Sequence, residues 1–141
     1  MRILALDVGE KRIGLAVSDS LGITAQPLPV WERRDITTDL RHIVQLATEH
    51  QASCIVVGHP VTLAGTKSAQ TLKVETFAQT LERESPCAVQ LWDERLTTAQ
   101  GERVLLEGGV RRAQRRIAVN QIAAQLLLQH YLDTQRGASG S

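Results

Sequence analysis

The 141-residue chain is 43% hydrophobic but only 3% aromatic, and its formal net charge is +1 at pH 7. This length supplies one hydrophobic core and is too short to divide comfortably into two domains. With so few aromatic residues the core must consist of Leu, Val, Ile and Ala, which favours an α/β fold over a β-sandwich. We therefore expect one domain over residues 1–134 and a disordered tail over residues 135–141.

Composition also excludes several classes of protein. No apolar run approaches the roughly 20 residues of a membrane span, and no basic leader with an apolar stretch opens the chain. The two cysteines, Cys54 and Cys87, have no second Cys or His at metal-site spacing, so we interpret them as reduced core thiols. These features predict a cytoplasmic protein that does not contact a membrane.

Three strands are predicted at the start of the chain. The first is an apolar run that ends in an acid, and the turn Val8–Lys11 joins it to the second as a hairpin. The third contains Pro27 and Pro29, which places it at an edge of the sheet. The three predicted strands are Met1–Asp7, Arg12–Ser18 and Ala25–Trp31.

The remaining chain alternates helices with strands, which is typical of a sheet with parallel strands. Asp35 can cap a first helix, Pro86 stops a second, and Gly108-Gly109 ends a third that begins near residue 97. Strands are predicted at Ala52–Gly58 and Cys87–Trp92, and a last helix from about Ala113 to Leu132.

Acidic residues end two of these strands. Asp7 closes the first strand, and Asp93 and Glu94 follow the fifth, so a sheet of order 3-2-1-4-5 would bring them to one edge, where ligands generally bind. Carboxylates suit Mg²⁺ or Mn²⁺, and two such ions about 4 Å apart can activate water and neutralise charge during phosphodiester hydrolysis. The alternative is structural: Asp7 as a turn acid before Gly9, and the other two as capping or salt-bridging groups beside Arg95.

Several motifs, in order along the chain, resemble the YqgF family of bacterial Holliday-junction-resolvase-like proteins. They span nearly the whole chain, so chance similarity is a poor explanation. The motifs are LALDVGEKRIGLAVSD at Leu4–Asp19, VVGHP at Val56–Pro60 with Gly65-Thr66, WDERLTT at Trp92–Thr98 and IAAQLLLQHYL at Ile122–Leu132.

The resemblance implies a ribonuclease H-like fold, a five-stranded mixed sheet of order 3-2-1-4-5 with helices on its faces. It also implies a nuclease that trims the 5′ end of precursor 16S ribosomal RNA, with RNA and ribosomal particles as partners, or alternatively a resolvase of branched DNA. Asp7 and Glu94 match the family's catalytic acids and candidate metal ligands, with Asp93 beside them. Arg95 and the auxiliary residues Thr97 and Thr98 match the rest of that motif.

Departures from the family pattern include Asn120 and His59. Asn120 stands where relatives usually carry a third acid, and an amide offers a metal only a neutral oxygen. The amide at residue 120 therefore predicts a weakened enzyme, a rewired enzyme, or a nucleic-acid-binding protein without turnover. His59 replaces the usual Leu and could carry a proton or contact phosphate, the alternative being a partly exposed loop histidine.

Positive charge is concentrated late in the chain. Residues 1–94 contain nine Lys and Arg against twelve Asp and Glu, whereas residues 95–116 contain six against two. Arginine binds phosphate through a bidentate fork, so we expect recognition of a nucleic-acid backbone, although a solvated helix face is the alternative. The candidate nucleic-acid contacts are Lys11, Arg12, Lys67, Arg95, Arg111, Arg112, Arg115 and Arg116.

Two other classes of protein fit parts of the sequence. The spacing Asp7-x-Gly9-x-x-x-x-Gly14 also occurs in actin-like and hexokinase-like ATPases, but those enzymes clamp a nucleotide between two lobes and this chain supplies one. A nucleic-acid-binding protein without catalysis is the other, and Asn120 favours it.

Overall fold

The computed structural model of the chain describes residues 2–61, 65–93 and 112–139, with side chains in the last segment from 121 to 136. Five strands form one mixed sheet: β1 (Arg2–Val8), β2 (Arg12–Ser18), β3 (Ala25–Glu32), β4 (Ala52–His59) and β5 (Ala88–Asp93). Their order is β3-β2-β1-β4-β5, which confirms the predicted sheet. The first three strands pair antiparallel, and β1, β4 and β5 pair parallel.

Three helices are described: α1 (Ile36–Glu49), α2 (Ala69–Glu84) and α3 (Arg112–Ser139). Asp35 is the N-cap of α1, as predicted, and its carboxylate accepts the backbone N–H of Thr38 at 2.8 Å. The helix expected to begin near residue 97 lies outside the described residues. Within the described part of the chain, no helix has both the length and the apolar character needed to cross a membrane.

The last helix is longer than expected. It was predicted to end at Leu132, but α3 continues to Ser139 and so includes residues 135–139 of the segment expected to form a disordered tail. Arg136 supplies a physical reason, because its guanidinium donates to the backbone carbonyl of Ile23 at 2.9 Å and also bonds to Asp133. These contacts tie the end of the helix to the turn before β3.

Strand alternation divides the core between the two faces of the sheet. On the α1/α2 face, large aliphatic side chains such as Leu4, Leu6 and Ile55 pack against the first two helices. On the α3 face, the buried residues of the strands are small, and the last helix packs directly on them. The buried residues of the α3 face are Ala5, Ala16, Ala25, Val56, Ala124, Leu127, Leu128, Tyr131 and Leu132.

Three glutamines of α3 bond to the backbone at edge strand β3. They are spaced four residues apart, so they lie along one side of the helix. Gln121 and Gln125 donate to the carbonyls of Leu28 and Ala25, and Gln129 accepts from the N–H of Ala25 while donating to Ile23. These bonds fix the position of α3 along the sheet and occupy backbone groups that an edge strand would otherwise expose.

Candidate functional site

Asp7 is held at the carboxyl end of the central strand. It pairs in register with Gly14 of β2 and is half-buried. The turn that follows is closed by a bond from the Gly9 N–H to the Arg12 carbonyl at 2.9 Å. A Cβ atom on Gly9 would lie only 2.9 Å from that same oxygen, so this turn requires glycine. The tight hairpin therefore fixes the position of Asp7 at the edge of the sheet.

Asp7 and Asp93 lie at the same edge of the sheet but on opposite faces. Asp7 alternates with Ala5, which places it on the α3 face. Asp93 is the exposed last residue of β5, and it follows Trp92, which packs on the α3 cluster, and Leu91, which packs on the opposite one. Alternation therefore assigns Asp93 to the α1/α2 face. β4 also separates the two acids, a spacing of about 10 Å across the sheet.

The part of α3 that contains Asn120 passes the sheet at the level of Asp7. Asn120 directly precedes Gln121, whose side chain bonds to the carbonyl of Leu28 at 3.0 Å. Leu28 is in register with Leu15 on β2, and Leu15 is in register with Leu6, the residue before Asp7. The helix backbone at Asn120 thus lies at the level of Asp7.

The other predicted residues of the motif and the basic segment are described in part or not at all. Glu94, Arg95, Thr97, Thr98 and Arg111 lie outside the described residues. Arg112, Arg115 and Arg116 belong to the first turns of α3, ahead of the part whose side chains are described. Among the described residues, no group of three or more His, Cys, Asp or Glu could hold a metal ion.

His59 and Lys67 converge on a single carboxylate. His59 is the last residue of β4, and its Nε2 lies 2.8 Å from Oε2 of Glu75 on α2. Lys67 Nζ lies 3.0 Å from the same oxygen. Hydrogen bonds from Lys67 and then from His59 hold the pKa of Glu75 below its ordinary value. His59 is therefore a strand residue engaged by α2, on the opposite face from Asp7.

Lys11 lines a cavity of about 1030 Å³ on the α1/α2 face, and Arg12 pairs with Glu32 in its wall. The exposed Arg12 Nε lies 2.9 Å from Oε1 of Glu32, whereas Lys11 has no ionic partner in the described part of the chain. The cavity lies between the β1–β2 turn, the end of β3 and helices α1 and α2. Its walls come from separate segments with no shared motif, so the sequence pattern did not predict it.

Arg33 in the wall of this cavity is fixed by the buried carboxylate of Asp39. Arg33 Nε donates to Asp39 at 3.1 Å, its Nη1 donates to the Gly9 carbonyl at 2.9 Å, and its guanidinium lies over the ring of Phe77. Asp39 also accepts the indole N–H of Trp31. No local pattern predicts this cluster, because Asp39 falls at an ordinary helix position.

Burial and hydrogen bonding shift the pKa of Asp39 in opposite directions. Burial alone raises the pKa of this carboxyl, but the backbone N–H of Arg34 and the side chains of Trp31 and Arg33 all donate to it. The net result is a pKa below the ordinary 3.8, so the group is a carboxylate. This anion anchors the arginine that holds the turn after Asp7.

Comparison with known proteins places these features in a family. Residues 1–134 match the family described as "RuvX: Holliday junction resolvase". A protein of Halalkalibacterium halodurans is 46% identical over 96% of this chain and 99% of its own length, and one of Myxococcus xanthus is 42% identical over 96% and 90%. Both carry the name "Putative pre-16S rRNA nuclease".

Solved structures share the fold at low sequence identity. RuvC of T. thermophilus in complex with a Holliday junction substrate has a TM-score of 0.61 at 14% identity, covering 97% of this chain and 96% of that one. The fowlpox virus resolvase with its Holliday junction DNA has a TM-score of 0.56 at 18% identity, covering 96% and 99%. These likenesses confirm the expected ribonuclease H-like fold. From the match over residues 1–134 and the identity of its relatives, the chain belongs to the RuvX family.

Proposed function

We propose that this chain is a nuclease that hydrolyses phosphodiester bonds in the precursor of 16S ribosomal RNA. The observation that carries the proposal is the position of Asp7, half-buried at the carboxyl end of the central strand on the face that α3 covers. Family membership and the names of the relatives support the reaction and the substrate. Such a role would place the protein in the cytoplasm, acting on RNA or on ribosomal particles.

Glu94 is the second acid of the proposed site. Gln90 bonds to Tyr131 of α3, and Trp92 packs on the same cluster, so even-numbered residues of β5 lie on the α3 face. Continued alternation would assign Glu94 to the face of Asp7, and Asp93 to the other. Asp93 is then a neighbour of the site rather than a ligand in it.

Asn120 is the third position of the proposed site. It precedes Ala124 by four residues and Leu127 by seven, and both of these are buried against the sheet. From this spacing alone, we expect Asn120 to belong to the same stripe of the helix. Two carboxylates and an amide are all oxygen donors, which fits Mg²⁺ or Mn²⁺ better than zinc.

A divalent ion bound there would stabilise charge on the reacting phosphate and promote ionisation of the attacking water. Asp7 and Glu94 would hold it, and Asn120 would contribute an oxygen without charge. The arginines at the start of α3, Arg112, Arg115 and Arg116, together with Arg95 and Arg111, would bind the sugar-phosphate backbone. Recognition of this kind favours backbone and shape over base sequence.

The direct test is cleavage of an RNA that spans the junction between the 5′ leader and mature 16S sequence. The chain would be incubated with Mg²⁺, Mn²⁺ or EDTA, and the products resolved on a denaturing gel. We expect metal-dependent product whose rate falls about 1000-fold in Asp7→Asn, since the ion loses a charged ligand. Asp133→Asn, a matched change at an exposed acid far along α3, should leave the rate unchanged. Equal rates in Asp7→Asn and the parent chain would refute the site.

Asn120 favours a second candidate function, nucleic-acid binding without turnover. An amide at the third position lowers the negative charge available to hold an ion by one. If the chain binds the RNA but cleaves it only after Asn120→Asp, the binding function applies to this chain. A four-way DNA junction in the same assay separates the two substrates, and preferential cleavage of the junction would contradict the RNA assignment.

A further inference from the structure

The cavity on the α1/α2 face is large enough for a small organic ligand. Its volume of about 1030 Å³ is at the upper end of ordinary ligand sites. Its lining includes Val8, the last residue of β1, and Lys11 in the turn that follows, so the cavity adjoins the proposed active site around one end of β1. The proposed reaction does not use any of its lining residues.

One side of the cavity is apolar and remains exposed to solvent. Val74 and Phe77 are buried behind it, whereas Leu72 and Ile36 on its rim are 53% and 45% exposed. Only two other large hydrophobic residues in the described segments, Leu21 and Ile23, are exposed to this degree. Exposed apolar side chains beside a cavity indicate a surface that binds a flat or apolar group.

The charges around the cavity leave a positive excess after internal pairing. Both acids of the lining have partners, because Glu32 pairs with Arg12 and Glu10 with Lys73. Arg33 is likewise paired with Asp39. In the described part of the chain, Lys11 and Arg34 have no carboxylate partner, although the Arg34 guanidinium rests on the Trp31 ring. Two unneutralised cations at an apolar cavity favour an anionic ligand.

We propose that this cavity binds one nucleotide of a single-stranded segment of the nucleic-acid substrate. The base would lie against Leu72 and Ile36, and its phosphate would lie between Lys11 and Arg34. A nucleotide combines a flat apolar surface with an adjacent anion, which is the combination that these residues present. The inference rests on the proposed nuclease function and assigns a second contact to the same substrate, beyond the scissile bond.

Binding can be measured separately from cleavage. A fluorescein-labelled single-stranded RNA would be titrated with the full chain carrying Asp7→Asn, and anisotropy recorded. Leu72→Glu should weaken binding about 10-fold, because the new carboxylate repels the phosphate and removes the apolar contact. Leu21→Glu is the matched control: it makes the same change at a side chain 77% exposed, in the turn at the opposite end of the sheet. It should change affinity less than about 2-fold.

A double alanine variant tests the phosphate contact without altering the apolar rim. Lys11→Ala combined with Arg34→Ala should lower the slope of log Kd against log salt by about one, as expected for one phosphate contact. Adenosine 5′-monophosphate should compete with the RNA for the cavity. Adenosine alone and inorganic phosphate alone should compete at least about 10-fold less well. These measurements also keep the proposal testable if Leu72→Glu does not fold.

The outcomes separate this inference from the proposed function. Two results together would overturn the inference: Leu72→Glu and Leu21→Glu bind the RNA equally well, and the double alanine variant keeps the salt slope of the parent. The cavity would then not bind a nucleotide. Its apolar rim would instead fit a protein partner. Cleavage that depends on Asp7 would then still support the nuclease. Conversely, RNA binding that depends on Leu72 in a chain that cleaves no RNA would support the cavity and refute the hydrolysis.

Discussion

The two faces of the sheet contain side chains of different size, and β1 shows the contrast within two residues. Leu6 packs under α1 and α2, Ala5 packs under α3, and both are fully buried. Alanine recurs on the α3 face at Ala16 and Ala25, and again on the helix itself at Ala124. Small residues let a helix pack close to the strands, whereas large aliphatic residues keep α1 and α2 further away.

Because of this difference, the α3 face carries the candidate site and the α1/α2 face contributes most of the stability. Close packing lets the glutamines of α3 reach the backbone at β3, and it brings the segment around Asn120 to the level of Asp7. The α1/α2 face carries most of the large buried hydrophobic residues of the described chain. We therefore expect changes on the α3 face to affect activity first, and changes on the other face to affect stability first.

The two acids that follow Trp92 provide the sharpest test of this division. Glu94→Gln should reduce the rate of RNA cleavage about 1000-fold, because Glu94 is the second acid of the proposed site. Asp93→Asn changes the neighbouring acid in the same way and should reduce the rate less than about 10-fold, since that position lies on the other face. Both rates would be measured with Mn²⁺ in whichever background, parent or Asn120→Asp, cleaves faster. A larger loss in Asp93→Asn would reverse the assignment.

Asp39 is a fully buried charged residue on the α1/α2 face, and its removal should cost the most stability. Asp39→Ala leaves Arg33 and the Trp31 indole N–H without their acceptor, which should lower the free energy of unfolding by about 4 kcal/mol. Urea unfolding at pH 7 measures this loss. Asp35→Asn, which keeps an efficient N-cap at an exposed position nearby, should change stability little.

The contribution of Asp39 should also depend on pH. Its folded-state pKa is depressed below 3.8, because the hydrogen bonds it accepts outweigh the effect of burial. The stabilisation is therefore complete above the unfolded-state pKa and declines as the pH falls through the folded-state value. The gap in stability between the parent chain and Asp39→Ala should be constant from pH 7 to pH 5 and should narrow below 3.8. A gap that widens on acidification would contradict this account.

The sequence predicted the sheet because its signals are local and mutually consistent. Asp35, Pro86 and the apolar runs each mark an element by themselves, and strand order follows from the family resemblance. The Asp39 cluster and the neighbouring cavity could not be predicted in this way. Arg33 lies in the loop after β3, Asp39 on α1 and Phe77 on α2, and their mutual contacts depend on how the two helices pack.

Local motifs also predict which residues form the candidate site, but not the face of the sheet on which each acid lies. Motif spacing identified Asp7 and the Asp93-Glu94 pair, but the assignment of Asp93 to the other face needed the packing partners of Leu91 and Trp92. The sequence pattern ends the fourth strand at Gly58 and so predicts that His59 lies in the following loop. His59 is instead the last residue of β4, paired with Glu75, a carboxylate from α2 that no local pattern links to it.

Opposite changes at the two neighbouring residues of β1 test the size difference itself. Leu6→Ala should lower the free energy of unfolding by about 3 kcal/mol through the cavity it leaves, yet the folded fraction should cleave RNA at the parent rate. Ala5→Leu should cost about 1–3 kcal/mol and displace α3, so that its cleavage rate falls further than its folded fraction does. The measurements are urea unfolding and the rate per folded molecule. Equal rates for the two variants would remove the functional distinction between the faces.

The smallest expected effect concerns the bonds that hold α3 at its position. Gln125→Ala removes one donor to β3, and leaves the Ala25 carbonyl to water or to Gln129, so it should lower stability by about 1 kcal/mol. Gln45→Ala is the matched control, because among the described residues the Gln45 side chain bonds only to the exposed Glu49 side chain on its own helix. If the two variants unfold at the same urea concentration, the glutamines do not fix α3. The small size of the alanine residues would then be the only described feature that sets the position of the helix beside Asp7.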